Sequence, residues 1–277
     1  MKKYLKLLAY ELENSKKLIA ILVAGVTLLQ SVSFIQMIRE YKQIVEIQIS
    51  QLGTLKGVKF DFSVFTSNGW FILSIMGSVA LIGAYIFYIW LKEWYKQGKS
   101  IYRVLMLPGS RMSIYWAKFT TILMLILILL GLEMVLLTGA MKLAGVIIGD
   151  QLVGTGNNWY VFVQGNDQYV NPLEMLYPAT WMDFSLTYGV GICAVSTCFQ
   201  LIILAMSTRH LKKVQSIGLM IINVVTVVLY VSGLIFLAEH LILKSSETNW
   251  LITLSCVIYF AITTLVSRHL LNHYVAV

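Results

Sequence analysis

Apolar residues fall in long blocks along this chain, and polar residues collect in the intervals between them. Six blocks are long enough to cross a bilayer as helices: 18–38, 70–91, 119–138, 184–206, 214–237 and 250–267. The second is about 33 Å long at 1.5 Å per residue. It carries Trp70 at one end and Trp90 and Trp94 at the other, where aromatic rings favour the membrane–water boundary. Residues 1–17 differ from these blocks. Tyr4, Leu5, Leu8, Ala9 and Leu12 share one helical face, with Lys2, Lys3, Lys6, Lys16 and Lys17 around it, which predicts an amphipathic helix lying at the interface. Glu11, Glu13 and the Lys16-Lys17 pair interrupt any signal-peptide core, so the segment is expected to be retained.

Three intervals carry further pattern. Residues 39–69 read as a mixed-charge outer loop in which helix continues for a turn or two before Gly53. In 92–118, Glu93 opens the segment, Gly98 permits a sharp change of direction, and Ile101, Tyr102, Leu105 and Met106 repeat at the spacing of one helical face. Pro108-Gly109-Ser110 stops that helix, and Ser110 is placed to cap another beginning near Arg111. Residues 139–183 include Gly145, Gly149, Gly154 and Gly156, Pro172 and Pro178, and the aromatics Trp159, Tyr160, Phe162 and Tyr169. They read as a cap on the outer face, since so many aromatics are not left free in water. The spacings Gly145-x-x-x-Gly149 and Ala80-x-x-x-Ala84 permit close helix approach but arise easily by chance.

Composition places all of this in a membrane. Hydrophobic residues make up 58% of the chain, charged residues only 12%, and the mean hydropathy is +0.77, too apolar for one soluble core of 277 residues. The fold class expected is therefore an all-α polytopic membrane protein forming a single transmembrane domain over 1–277. With the N-terminus inside, the inner segments hold 15 basic residues against three acids (net +12). The outer ones hold six against nine (net −3), and Glu133 lies within a span, which together give the overall +8. Basic residues favour the cytoplasmic side, so both termini are expected there, which an even number of spans requires. Clustering at span ends explains the positive charge without nucleic acid.

The chemistry-bearing residues exclude several classes. Cys193, Cys198 and Cys256 lie in apolar runs without metal-ligand spacing, so no disulfide and no metal site are expected. His210, His240, His269 and His273 stand at span ends with no ligand set and no Gly-x-Ser-x-Gly nucleophile, which leaves a protease or lipid transferase unsupported. Gly98-Lys99-Ser100 resembles the end of a phosphate loop, but Glu93 occupies the place of the first glycine. No catalytic site is expected in this chain, and ATP-driven work needs a partner. Inside the spans, Glu133 and Asn223 are the candidates for lining a path. The alternative for each is a structural hydrogen bond, which for Glu133 is favoured by the lack of a Lys or Arg at matching depth.

The 92–118 interval resembles the loop after the second membrane helix in permease subunits of ABC exporters of the type-2 permease class. That loop carries a Glu, a Gly, a Leu-rich turn, Pro, Arg and Lys, and here Glu93, Gly98, Leu105, Leu107, Pro108, Arg111 and Lys118 stand in those places. The resemblance implies a cytoplasmic coupling helix between spans 2 and 3 that docks on a separate ATPase subunit. Glu93, Gly98, Ile101, Tyr102, Arg103, Leu105, Met106, Pro108 and Arg111 would form the coupling segment. It also implies a second permease copy, ATP and Mg bound by the partner ATPase rather than by this chain, and a bacterial plasma membrane location. The stretch Leu234 to Leu243, broken by Glu239 and His240, would dip back into the outer leaflet. The plan is similar to that of bacterial peptide-toxin exporters, which implies an amphipathic peptide or hydrophobic compound as cargo. The alternative is a non-transport membrane scaffold or sensor whose basic inner loop binds anionic lipid.

Overall fold

The computed structural model describes residues 2–52, 60–95, 110–153, 176–178, 181–207, 245–273 and eight positions between 217 and 232. Helix dominates: α1 (Lys2–Leu52), α2 (Ser63–Ser67), α3 (Gly69–Tyr95), α4 (Met112–Ile148), α5 (Trp181–Ser207) and α6 (Ser245–His273). The strands β1 (Phe60–Asp61) and β2 (Leu152–Val153) form one short parallel pair. Helices α1, α3, α4, α5 and α6 are each long and apolar enough to cross a membrane, so the chain is an α-helical multi-pass membrane protein. The fifth block, 214–237, falls largely outside the described residues.

Two helices outrun the blocks that predict them by the most. Helix α1 continues without interruption from the amphipathic segment through the first block to Leu52, and α4 extends ten residues past Thr138. At 1.5 Å per residue they measure about 76 and 55 Å, against a hydrocarbon core of about 30 Å. The physical reason is that charged residues mark where a chain leaves the lipid, not where a helix stops. Stretch 39–52 has no proline or glycine to break it. Helix α4 ends where Gly149 takes a left-handed φ of 66°, which relieves the helix of its last carbonyls at no β-carbon cost.

Burial along α1 reverses the pattern of a soluble helix. Glu11, Ser15, Gln30 and Ser33 are buried together with Leu8, Leu22, Val26 and Met37, whereas Leu5, Ile21, Leu28 and Ile35 are exposed. Lipid solvates apolar side chains as well as a protein interior does, so polar groups, which find hydrogen bonds only inside, take the inward stripe.

The chain divides into two compact units. The first comprises residues 1–14, 83–123 and 180–277. In it α5 and α6 pack side by side through small and hydroxyl-bearing residues. Ser185 meets Thr253 at 3.2 Å, the Cys193 thiol donates to the Cys256 carbonyl at 3.3 Å, Thr197 meets Tyr259 at 3.1 Å, and Thr263 donates to Ser196 at 3.2 Å. A β-carbon added at Gly189 would lie 3.8 Å from that of Cys256, so the backbones approach closely. Partner numbers rise together along this seam, so α5 and α6 are parallel. Helix α6 runs opposite to α4: Arg111 Nη1 donates to the Leu271 carbonyl at 2.9 Å and Phe119 packs on Phe260 at 5.6 Å.

The second unit comprises residues 15–82 and 124–179. Here α1 and α4 are parallel and α3 is antiparallel to both. Its core gathers Phe60, Phe62, Phe65 and Phe71 on Met37, Leu137, Ala144 and Ile148. Ser33 donates to the Phe65 carbonyl at 3.1 Å, and Tyr41 donates to Gln151 at 2.6 Å. Leu176 and Tyr177 pack on this cluster, with the Tyr177 hydroxyl on the Leu130 carbonyl at 2.7 Å. These belong to the segment read as an outer cap; Trp159, Tyr160, Phe162 and Tyr169 lie outside the described residues. At Gly145 an added β-carbon meets nothing within 4 Å, so that spacing marks no close approach inside this unit.

Candidate functional site

Lys118 lies one and a half turns into α4, and its side chain is only 1% exposed. Burying an ammonium group costs several kcal/mol unless every N–H finds a partner. Here each does. Nζ donates to Glu11 Oε1 at 2.8 Å, donates to the Ile89 carbonyl at 2.8 Å, and pairs with Glu93 Oε1 at 3.0 Å. Its three protons therefore tie α4 to α1 and, twice, to α3. Two carboxylates around one ammonium leave the cluster with an excess of negative charge when all three are ionised.

The surroundings are aromatic. The Trp90 ring lies 5.3 Å from Nζ, where its negative face favours the cation. Trp90 and Tyr115 both pack edge-on against Phe199 at 5.4 Å, and Phe119 stacks on Tyr115 at 6.1 Å. These rings exclude water and so strengthen the ion pairs they enclose. Trp90 is 2% exposed and faces Lys118, whereas Trp70 is exposed.

The result is a clasp at the neck of an interval. Glu93 sits near the end of α3 and Lys118 in the first turns of α4, so their contact brings together the two ends of the 24-residue interval between them. Beside it, Ser110 Oγ accepts the Met112 N–H at 3.2 Å, the cap expected for α4. Arg111 fastens the start of α4 to a carbonyl in the last turn of α6, one of the four that a helix end leaves without an internal partner. Of the residues expected to form the coupling segment, Glu93 and Arg111 are therefore placed. Gly98, Ile101, Tyr102, Arg103, Leu105, Met106 and Pro108 lie outside the described residues.

Glu133 occupies a separate position in the second unit. It is 2% exposed, and its carboxyl group receives a hydrogen bond from Gln30 Nε2, which also reaches Ser74 Oγ at 3.5 Å. Ser74 in turn donates to the Phe71 carbonyl at 2.8 Å. Helices α1, α3 and α4 are joined by this chain of bonds, and among the described residues no Lys or Arg pairs with Glu133. Asn223 lies outside the described residues.

Glu11 and Gln30 are the partners that reading the sequence did not supply. Glu11 was visible only as a charge interrupting an apolar stretch. The available signal was its register, since Leu8, Glu11, Ser15, Leu22, Val26, Gln30, Ser33 and Met37 follow spacings of three, four or seven along α1. Set against family models, curated proteins and solved structures, the chain matches none.

Proposed function

We propose that this chain is the transmembrane subunit of an ATP-driven ABC exporter, working as a permease dimer with separate ATPase subunits. The cargo is an amphipathic peptide or hydrophobic compound. The observation that carries this reading is the clasp. The two charged residues that bracket the resembling interval, Glu93 and Lys118, meet at 3.0 Å in a buried site shared with Glu11. An interval pinned at its base to three helices can pass a push on its tip into those helices, which is what a coupling segment must do.

Helix directions support the six-span plan. In the first unit the start of α1, the start of α4 and the end of α6 come together, as Tyr4 donating to Thr120 at 3.0 Å and Arg111 on Leu271 attest. Both ends of the described chain then share one side. Parallel neighbours α5 and α6 also require the intervening chain to return across the bilayer, as a span over 214–237 would. The charge split of +12 against −3 assigns the shared side to the cytoplasm.

The test is co-purification with the ATPase after the paired change Tyr102→Ala and Leu105→Glu. The expected result is a permease that inserts and dimerises normally but has lost its ATPase and its export activity. A variant that keeps its ATPase and exports normally removes the coupling role. Wild-type protein that purifies alone, with no ATPase at stoichiometric level, supports the scaffold instead.

A further inference from the structure

The first unit contains a cavity of about 650 Å³ that plays no part in the clasp. It opens where the start of α1, the start of α4 and the last turns of α6 meet, and its wall includes Tyr4, Ser110, Ser113, Trp116, Leu265 and Arg268. Among the described residues, none that lines it is acidic. The polar part of the wall offers donors: the Arg268 guanidinium, the hydroxyls of Ser110 and Ser113, and the Trp116 indole N–H. Arg268 is exposed and, among the described residues, makes no ion pair. Ser110 Oγ accepts from the Met112 N–H, which leaves its own O–H to point elsewhere. Tyr4 is held in place by its bond to Thr120. The other part of the wall is apolar and open, with Leu265 61% exposed and Trp116 36% exposed. Lys3, Lys6 and Arg111 belong to the same helix ends and add positive potential.

We propose that this cavity binds the headgroup of an anionic glycerophospholipid. The phosphate pairs with Arg268 and accepts from Ser110 and Ser113, and the acyl chains leave past Trp116 and Leu265. Three features argue for this occupant. The site stands at the end of three membrane helices, where headgroups lie. Its polar side presents donors and a cation without any carboxylate to receive an ammonium group, which disfavours a zwitterionic lipid. Its open side is apolar, as acyl chains require and a free anion does not. The assignment is independent of the exporter reading, since it needs only a membrane protein.

The experiment uses the full chain, stripped of lipid in detergent, with short-chain phosphatidylglycerol, short-chain phosphatidylcholine and inorganic phosphate as separate probes. Binding is read by native mass spectrometry and by the shift in melting temperature. Phosphatidylglycerol is expected to bind and stabilise, with phosphatidylcholine and inorganic phosphate far weaker. Arg268→Gln should weaken phosphatidylglycerol about fivefold, and Arg268→Lys should retain most of the binding. Arg39→Gln, which removes an equal charge from an exposed site on α1, should change nothing. Arg268→Gln protein that binds phosphatidylglycerol as wild type does overturns the site. Equal binding of phosphatidylcholine overturns the anionic preference, and an equal effect of inorganic phosphate overturns the lipid in favour of a free anion.

Discussion

Replacing Lys118 by Met removes the ammonium and keeps nearly the same length of apolar chain, so it isolates the charge. Three acceptors, Glu11 Oε1, Glu93 Oε1 and the Ile89 carbonyl, lose their donor at once. Both carboxylates then sit buried beside each other without the ammonium between them. Breaking a buried ion pair by deleting one partner costs about 3–5 kcal/mol, and the charge imbalance here places Lys118→Met at the upper end of that range. The triple variant Glu11→Gln, Glu93→Gln, Lys118→Met removes all three charges together. Since the burial penalty then disappears with the attraction, its stability should return to within about 1 kcal/mol of wild type. Unfolding in mixed detergent and SDS micelles, followed by tryptophan fluorescence, measures both, because Trp90 lies against the Lys118 ammonium. A Lys118→Met protein within about 1 kcal/mol of wild type, or a triple variant as unstable as the single one, would refute the clasp as a mutually compensated ion cluster.

Glu133→Gln should be nearly neutral in the same assay, because an amide still accepts from Gln30. Glu133→Leu should cost about 1–3 kcal/mol by leaving the buried Gln30 amide without its acceptor. Gly149→Ala should destabilise by about 1 kcal/mol through backbone strain alone, since an added β-carbon there meets nothing within 4 Å; a neutral result would show that the turn relaxes. In a background lacking the three native cysteines, Ser185→Cys with Thr253→Cys should form a disulfide readily, whereas Ser185→Cys with Ser267→Cys should not. The opposite outcome on a gel would mean that α5 and α6 are not in parallel register.

How much of this was readable beforehand depended on whether the governing force acts locally. Apolar blocks announce helices because the bilayer demands unbroken intramolecular hydrogen bonding, and a cap such as Ser110 acts on amides two residues away. Where those helices stop was less legible: Arg39, Glu40 and Lys42 mark departure from lipid, yet they propagate helix well, and α1 runs on to Leu52. Long-range pairing was legible only in part. Glu93 and Lys118 stood out because they bracket one interval, while the need of Lys118 for Glu11 depends on helix packing that no local spacing encodes. Trp90 shows the same limit from another side. A tryptophan near the end of a span satisfies a boundary belt and a cation equally well, and only the position of Lys118 decides between them.

The separation of Glu11 from Lys118, 107 residues along the chain, also sets an order of events during synthesis. At about 5–20 residues per second the ribosome reaches Lys118 roughly 5–20 s after Glu11 has been made. In that interval α3 emerges carrying Glu93, so a premature hairpin of α1 and α3 would press two carboxylates together with no cation between them, a repulsive encounter. Glu11 is therefore expected to stay in contact with water until the third long helix arrives, so that the first three long helices close on one another together rather than as a pair followed by a latecomer.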